Sequence, residues 1–167
     1  MNDTKYSYTT DVPISLEQGY ELRIKKLTTT AQVPFKAHDY DAGFDLYADE
    51  DVSMEVSRTV LVSTGIAMEI PKGFVGLIWD RSSMGVKGIH RFAGVIDSGY
   101  RGEVKVCLSN LSYGKQDWPY HHISYDIKRG DRIAQLVVQQ IPLMRVIEVE
   151  EIEDSSTACW GFGSSGK

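Results

Sequence analysis

Residues 59–79 read TVLVSTGIAMEIPKGFVGLIW, and this stretch decides the fold. It holds three short runs, 59–62, 66–70 and 74–79, rich in β-branched and aromatic residues and bounded by Ser, Gly and Pro. None is long enough for an amphipathic helix, and the punctuation between them is that of turns, so each reads as a strand. Outward from this stretch the same texture continues at 21–27, 103–108 and 132–140. Many short strands at short spacing predict an all-β sandwich or barrel. A short helix over 82–87 is the single helical candidate, and no internal repeat is present.

The chain has 167 residues, enough for one domain with a true core and too few for two comfortable ones. Its hydrophobic content of 42% and charged content of 25% are those of an ordinary globular protein. A net charge of -5 gives no overall attraction for nucleic acid or anionic membrane, so neither partner is expected. The first 20 residues lack a basic segment followed by an apolar run, and no stretch approaches the ~20 apolar residues of a membrane span. Cys107 and Cys159 are too far apart in sequence and too few to read as a disulfide framework or a zinc set. A cytoplasmic location with free thiols is the expectation. By composition the chain divides into an N-terminal extension over 1–20, a β domain over 21–153 and a Ser/Gly-rich arm over 154–167. Residues 115–128 (KQDWPYHHISYDIK) form a polar, aromatic connection read as a long loop or hairpin.

Several motifs lie on this framework. Residues 94–104 (GVIDSGYRGEV) set two apolar runs around Asp-Ser-Gly, the chemistry of a hairpin turn in which Gly accepts positive φ. A plain β-hairpin accounts for it; a carboxylate and a phenol facing a ligand from its tip is the alternative. Arg81-Ser82-Ser83 follows a strand ending at Trp79 and offers a guanidinium and two hydroxyls to a phosphate chain, although a solvated turn explains it equally. Residues 41–46 (DAGFDL) and 130–137 (GDRIAQLV) read alone as strand entries with ordinary polar groups. The terminal Gly-Ser-Ser-Gly is either a linker or a cradle of backbone donors for phosphate.

Order and spacing carry more than any one motif. Residues 42–46, 81–83, 94–102, 130–136 and 161–166 together resemble the five ordered motifs of the trimeric dUTPases, and the resemblance runs from Glu21 to the C-terminus. It implies a jelly-roll-like β-sandwich with a mobile C-terminal arm. It further implies a homotrimer whose active sites draw on all three subunits, each arm closing over a neighbour. The implied activity is Mg²⁺-assisted hydrolysis of dUTP to dUMP and pyrophosphate, which limits uracil in DNA and supplies dUMP for dTMP synthesis.

Carried over residue by residue, Asp97 orients the water that attacks the α-phosphorus in line, and Gln135 holds the α-phosphate and that water. An ordinary Asp, at pKa ~3.9, is a weak base at neutral pH, so placement matters as much as proton affinity. The backbone of Gly94, Val95 and Ile96, with Lys105, reads the uracil edge. Tyr100 packs beneath the deoxyribose and leaves no room for a 2′-hydroxyl. Ser82 and Ser83 bind phosphate oxygens and Arg81 organises their loop, while Arg132 is more simply structural. Phe162 stacks on uracil, a contact worth ~1–3 kcal/mol, and Gly163, Ser164 and Ser165 follow it onto the phosphates. Asp45 supports the magnesium through water, with a structural role as its rival.

The match has gaps. Gly99 stands where the hairpin motif often carries a second acid. Thr157 stands where the family usually has the Arg that meets the γ-phosphate, so another cation is expected there. Trp160 and Cys159 have no physical account. The nearest rival, dCTP deaminase, needs a glutamate ten residues after Asp97, where this chain has Cys107, and tends to carry Trp in place of Tyr100. A nucleotide-gated protein-binding module on the same fold is the non-enzymatic alternative, with 1–20 and 115–128 as its partner surfaces.

Overall fold

The computed structural model describes residues 19–112 and 124–153. Most of the extension 1–20, most of the 115–128 connection and the whole 154–167 arm lie outside them. Among the described residues ten strands and one short helix follow in order: β1 Arg23–Lys26, β2 Phe44–Tyr47, β3 Val52–Met54, β4 Thr59–Glu69, β5 Phe74–Trp79, α1 Ser82–Gly85, β6 Ile89–Phe92, β7 Val95–Asp97, β8 Glu103–Asn110, β9 Tyr125–Ile127 and β10 Arg132–Gln140. They form two four-stranded sheets, ordered β1-β4-β8-β6 and β2-β10-β5-β7, plus the pair β3-β9. Every strand pairing is antiparallel. Among the described residues no helix is long and apolar enough to cross a membrane.

Alternation decides which face of each strand is buried. On β8, Val104, Val106 and Leu108 are buried while Glu103, Lys105 and Cys107 share the other, more exposed face. On β10, Ile133, Ala134 and Leu136 join Leu46, Val62, Ile66 and Ile78 in one apolar core. Gly76 of β5 is buried, and a Cβ there would lie 2.7 Å from Ile70 Cδ1.

Two expectations are corrected. The runs 59–62 and 66–70 belong largely to one strand, β4, which bulges between them. Ser63 pairs with Lys105 and Ala67 with Glu103, so β4 advances four residues while β8 advances two. Gly65, at φ +63°, supplies the left-handed turn inside the bulge, and a Cβ there would press on Asp49 and Ala31.

The second correction concerns 94–104, which is not a hairpin. β7 pairs with β5 in one sheet and β8 with β4 and β6 in the other, so the segment carries the chain across the sandwich. Its left-handed residues precede β7: Ala93 at φ 61° and Gly94 at φ 117°, not Gly99.

Candidate active site

Two clefts collect the polar residues that the motifs single out. The first, of about 430 Å³, is lined by Gly94, Val95, Ile96, Asp97, Tyr100 and Lys105, with Glu103, Cys107, Leu61, Ile78 and Phe92. β7 ends the order of its sheet, so one edge of its backbone has no strand partner among the described residues. Such an edge presents N–H and C=O groups in a fixed row. The entry to β7 is pinned by the N–H of Ile78, which donates to the Gly94 carbonyl at 2.8 Å, and a Cβ at residue 94 would meet that same Ile78 backbone.

Around this edge three side chains are set by β8 and the crossing segment. The Tyr100 hydroxyl donates to the Glu103 carbonyl at 2.9 Å. Its ring folds over Gly102, where a Cβ would come within 2.6 Å of the phenolic oxygen. Lys105 Nζ sits 3.4 Å from Glu103 Oε2. The other Glu103 oxygen accepts the Ser63 hydroxyl and, at 3.0 Å, the Gly65 N–H. Burial by itself raises the Glu103 carboxyl, but those two hydrogen bonds and the Lys105 charge outweigh it and hold the group below the ordinary glutamate value. The Asp97 carboxylate is exposed and makes no hydrogen bond or ion pair among the described residues.

The second cleft, of about 490 Å³, gathers Arg81, Ser82, Ser83, Gln135 and Asp45, together with Arg132 and Asp41. Arg81 Nε donates to Asp45 Oδ1 at 2.8 Å and Arg132 donates to Asp45 Oδ2 at 3.2 Å. Arg81 also reaches Ser83 Oγ at 3.3 Å. Asp45 therefore anchors two guanidinium groups. Gln135 Nε2 donates to the Asp80 carbonyl at 2.8 Å, and Gly43 leaves space for its Oε1, which would lie 2.8 Å from a Cβ at that residue.

Within one chain the clefts stay apart. Gln135 faces Trp79 and Asp97 faces Val75 across β5. At ~3.4 Å per residue and ~4.8 Å per strand, that register puts Asp97 and Gln135 roughly 16 Å from one another. Phe162, Gly163, Ser164, Ser165 and Thr157 lie outside the described residues. The sequence reading gives no role to Glu103, Gly102 or Asp80, yet they hold Lys105, Tyr100 and Gln135. The period-2 spacing of Glu103 and Lys105 was the one available signal.

Comparison with known proteins points to one family. The dUTPase family model matches residues 29–166. A deoxyuridine 5′-triphosphate nucleotidohydrolase of Rhodococcus erythropolis is 45% identical over 148 residues, covering 87% of this chain and 85% of the relative. The protein of that name from Mycobacterium tuberculosis is 41% identical, covering 87% and 91%. Among solved structures, the Staphylococcus bacteriophage 80alpha dUTPase with dUpNHpp superposes at a TM-score of 0.79 with 32% identity, covering 89% of this chain and all (100%) of that one. A dUTPase variant from phage phi11 of S. aureus, described for its coordination of a structural Mg(II) ion, gives 0.72 at 29% identity, covering 81% and 100%.

Proposed function

The chain belongs to the dUTPase family, and from that membership we propose that it hydrolyses dUTP to dUMP and pyrophosphate, with residues 21–153 as the catalytic body and 154–167 as the closing arm. The observation that carries this reading is the first cleft, where Asp97, Tyr100 and Lys105 surround a strand edge with no strand partner among the described residues. A base edge is read by fixed donors and acceptors, and the backbone of Val95, which the antiparallel alternation turns away from β5, supplies them beside the Lys105 ammonium. Cytosine presents a donor where uracil presents an acceptor, which leaves buried groups unpaired and rejects it. The Tyr100 ring, tied to the Glu103 carbonyl, lies under the sugar and occupies the space of a 2′-hydroxyl. Asp97, with no competing partner among the described residues, orients the water for in-line attack on the α-phosphorus.

Arg81, Ser82, Ser83 and Gln135 take the triphosphate. Because Gln135 Nε2 also holds the Asp80 carbonyl, its Oε1 is the atom left to accept from the water. Since Asp97 and Gln135 stand far apart in one chain, the complete site forms where the first cleft of one subunit meets the second cleft of another. An apolar, exposed run supports such an assembly: Leu143, Met144, Val146, Ile147 and Ile152 lie on the surface after β10. Contiguous exposed apolar residues of this size mark a surface that another chain covers. We assign them to contacts within a homotrimer.

Magnesium fits as a companion of the substrate. Among the described residues no three His, Cys, Asp or Glu side chains come together as a cage. Both Asp45 oxygens are engaged by arginine, yet a carboxylate has about four lone-pair sites, and those remaining can accept from metal-bound water. When bound, the ion neutralises phosphate charge during attack. The deaminase alternative is not favoured, because Cys107 lies at the position where it needs its glutamate.

The test is pyrophosphate release by the full chain with dUTP, dCTP and UTP in Mg²⁺. Turnover of dUTP far above the other two is expected. Ammonia from dCTP, or no pyrophosphate from dUTP, would overturn the reading.

A further inference from the structure

We propose that Asp80 is a positioning residue for this reaction, a carboxylate that pins Gln135 and the 81–83 loop to the opposite sheet through His90 and Arg91. The proposal rests on the assignment of Gln135 and that loop to the phosphates. Asp80 is the single residue between the end of β5 and Arg81, and three groups hold it. Its Oδ2 lies 2.6 Å from His90 Nδ1. Its Oδ1 accepts the Arg91 N–H at 2.8 Å. Its carbonyl accepts Gln135 Nε2 at 2.8 Å. His90 and Arg91 lie on β6, in the β1-β4-β8-β6 sheet, whereas Gln135 and β5 belong to the other. One residue thus joins the two layers where the loop begins and also turns the Gln135 amide.

The surroundings narrow the role further. Arg91 is held over the Trp79 ring at 4.9 Å, and His90 packs edge-on against Phe92 at 5.5 Å. Across the β6–β8 pairing, uncharged Ser109 faces His90 and Cys107 faces Phe92. α1, the other element packed on β6, has no titratable residue. Among the described residues, the titratable and charged groups beside His90 are therefore Asp80, Arg91 and, two pairs along, Cys107. Asp80 must satisfy two donors at once, the Arg91 N–H and the His90 Nδ1–H, and a carboxylate has an oxygen for each.

An amide has one acceptor, and the difference gives a test that a merely structural contact would not move. In Asp80→Asn, the side-chain oxygen can keep the Arg91 N–H. The NH₂ then faces His90 Nδ1, which can accept only while the imidazole is neutral and carries its proton on Nε2. Once acid places a proton on Nδ1, the Nδ1–H and the NH₂ oppose one another. Displacement of a positioning group by ~1 Å can cost 10²-fold in rate.

The experiment measures kcat and KM for dUTP from pH 5.5 to 8.5 with the full-length parent, Asp80→Asn, Asp80→Ala and Gln135→Ala, with thermal melting of each. Asp80→Ala is expected to lose ~10–100-fold in kcat at every pH, with a smaller change in KM. Asp80→Asn should stay within a few-fold of the parent at pH 8 and fall toward the Ala variant at pH 5.5, while remaining folded. Two folded Asp80 variants at parental kcat, or an Asn-to-parent ratio constant with pH, would overturn the positioning role. Gln135→Ala at the parental rate would instead overturn the assignment of Gln135, and this proposal with it.

Discussion

Asp97 closes β7 with an exposed carboxylate that no described group engages, so its function depends on what the cleft places before it. Replacing it with Asn keeps the shape and removes the charge and the base. Asp97→Asn should retain nucleotide binding and lose ~10²–10⁴ in turnover, read by steady-state pyrophosphate release. Near-parental turnover would remove Asp97 from the mechanism. Tyr100 depends on a neighbour with no side chain. A methyl at Gly102 would sit 2.6 Å from the phenolic oxygen, so the ring must leave its place and its bond to the Glu103 carbonyl. Gly102→Ala, like Tyr100→Ala, should raise the UTP-to-dUTP ratio of specificity constants by tenfold or more, about 1.4 kcal/mol of lost discrimination. An unchanged ratio in both variants would show that the ring does not gate the sugar. The motif around 94–104 made Tyr100 legible in the sequence. The need for Gly102 was not, because it arises only when the ring folds back over its own chain.

At the scale of elements, the β4 bulge organises the floor of the first cleft. Glu103 accepts from Ser63 at its start, from Gly65 within it and from Lys105 on its own strand. Asp49 closes the bulge from behind: its N–H donates to the Ser63 carbonyl at 2.8 Å, and its carboxylate accepts the Thr28 hydroxyl. Burial raises the Asp49 carboxyl, yet the Thr28 and Thr30 hydroxyls and the Arg129 and Lys26 charges prevail and hold it below its ordinary value. Both carboxyls thus have lowered pKa values in the fold, so the unfolded chain takes up their protons first as pH drops. The stability they contribute is present above the unfolded values, ~4.3 for Glu and ~3.9 for Asp, and is lost as pH falls through the folded ones. The melting temperature should therefore hold down to about pH 5 and then decline. Glu103→Gln should melt lower at pH 7 and lose less between pH 5 and 3; parallel curves for the two proteins would show that Glu103 is not a source of the acid sensitivity. The runs 59–62 and 66–70 were legible as strands because alternation is a local signal. Their union across a bulge was not, since it is decided by the register of β8.

For the whole molecule, the proposed assignment of Asp97 and Gln135 to one site makes assembly a condition of activity, because the two stand far apart in one chain. Leu143 and Val146, almost fully exposed after β10, are the residues with which to test it. Leu143→Asp with Val146→Asp should leave the β-sheet spectrum intact, lower the mass seen by light scattering and abolish turnover. A fully active monomer would place the entire site in one chain. Removing 154–167 should keep the assembly and lose nearly all turnover, and a full-rate truncated protein would exclude the arm from the site. The sequence by itself determined the all-β class, the strands of the core and the order of the five motifs. Each of those follows from short-range pattern: period-2 alternation, turn residues, and motifs whose order survives in one dimension. Tertiary structure alone decided that 94–104 crosses between sheets, that the motif residues divide between two clefts, and that Asp80 joins the layers beside Gln135. Those facts depend on which distant strands pair and in what register, a choice made by closing one apolar core around both sheets and invisible to any single stretch of chain.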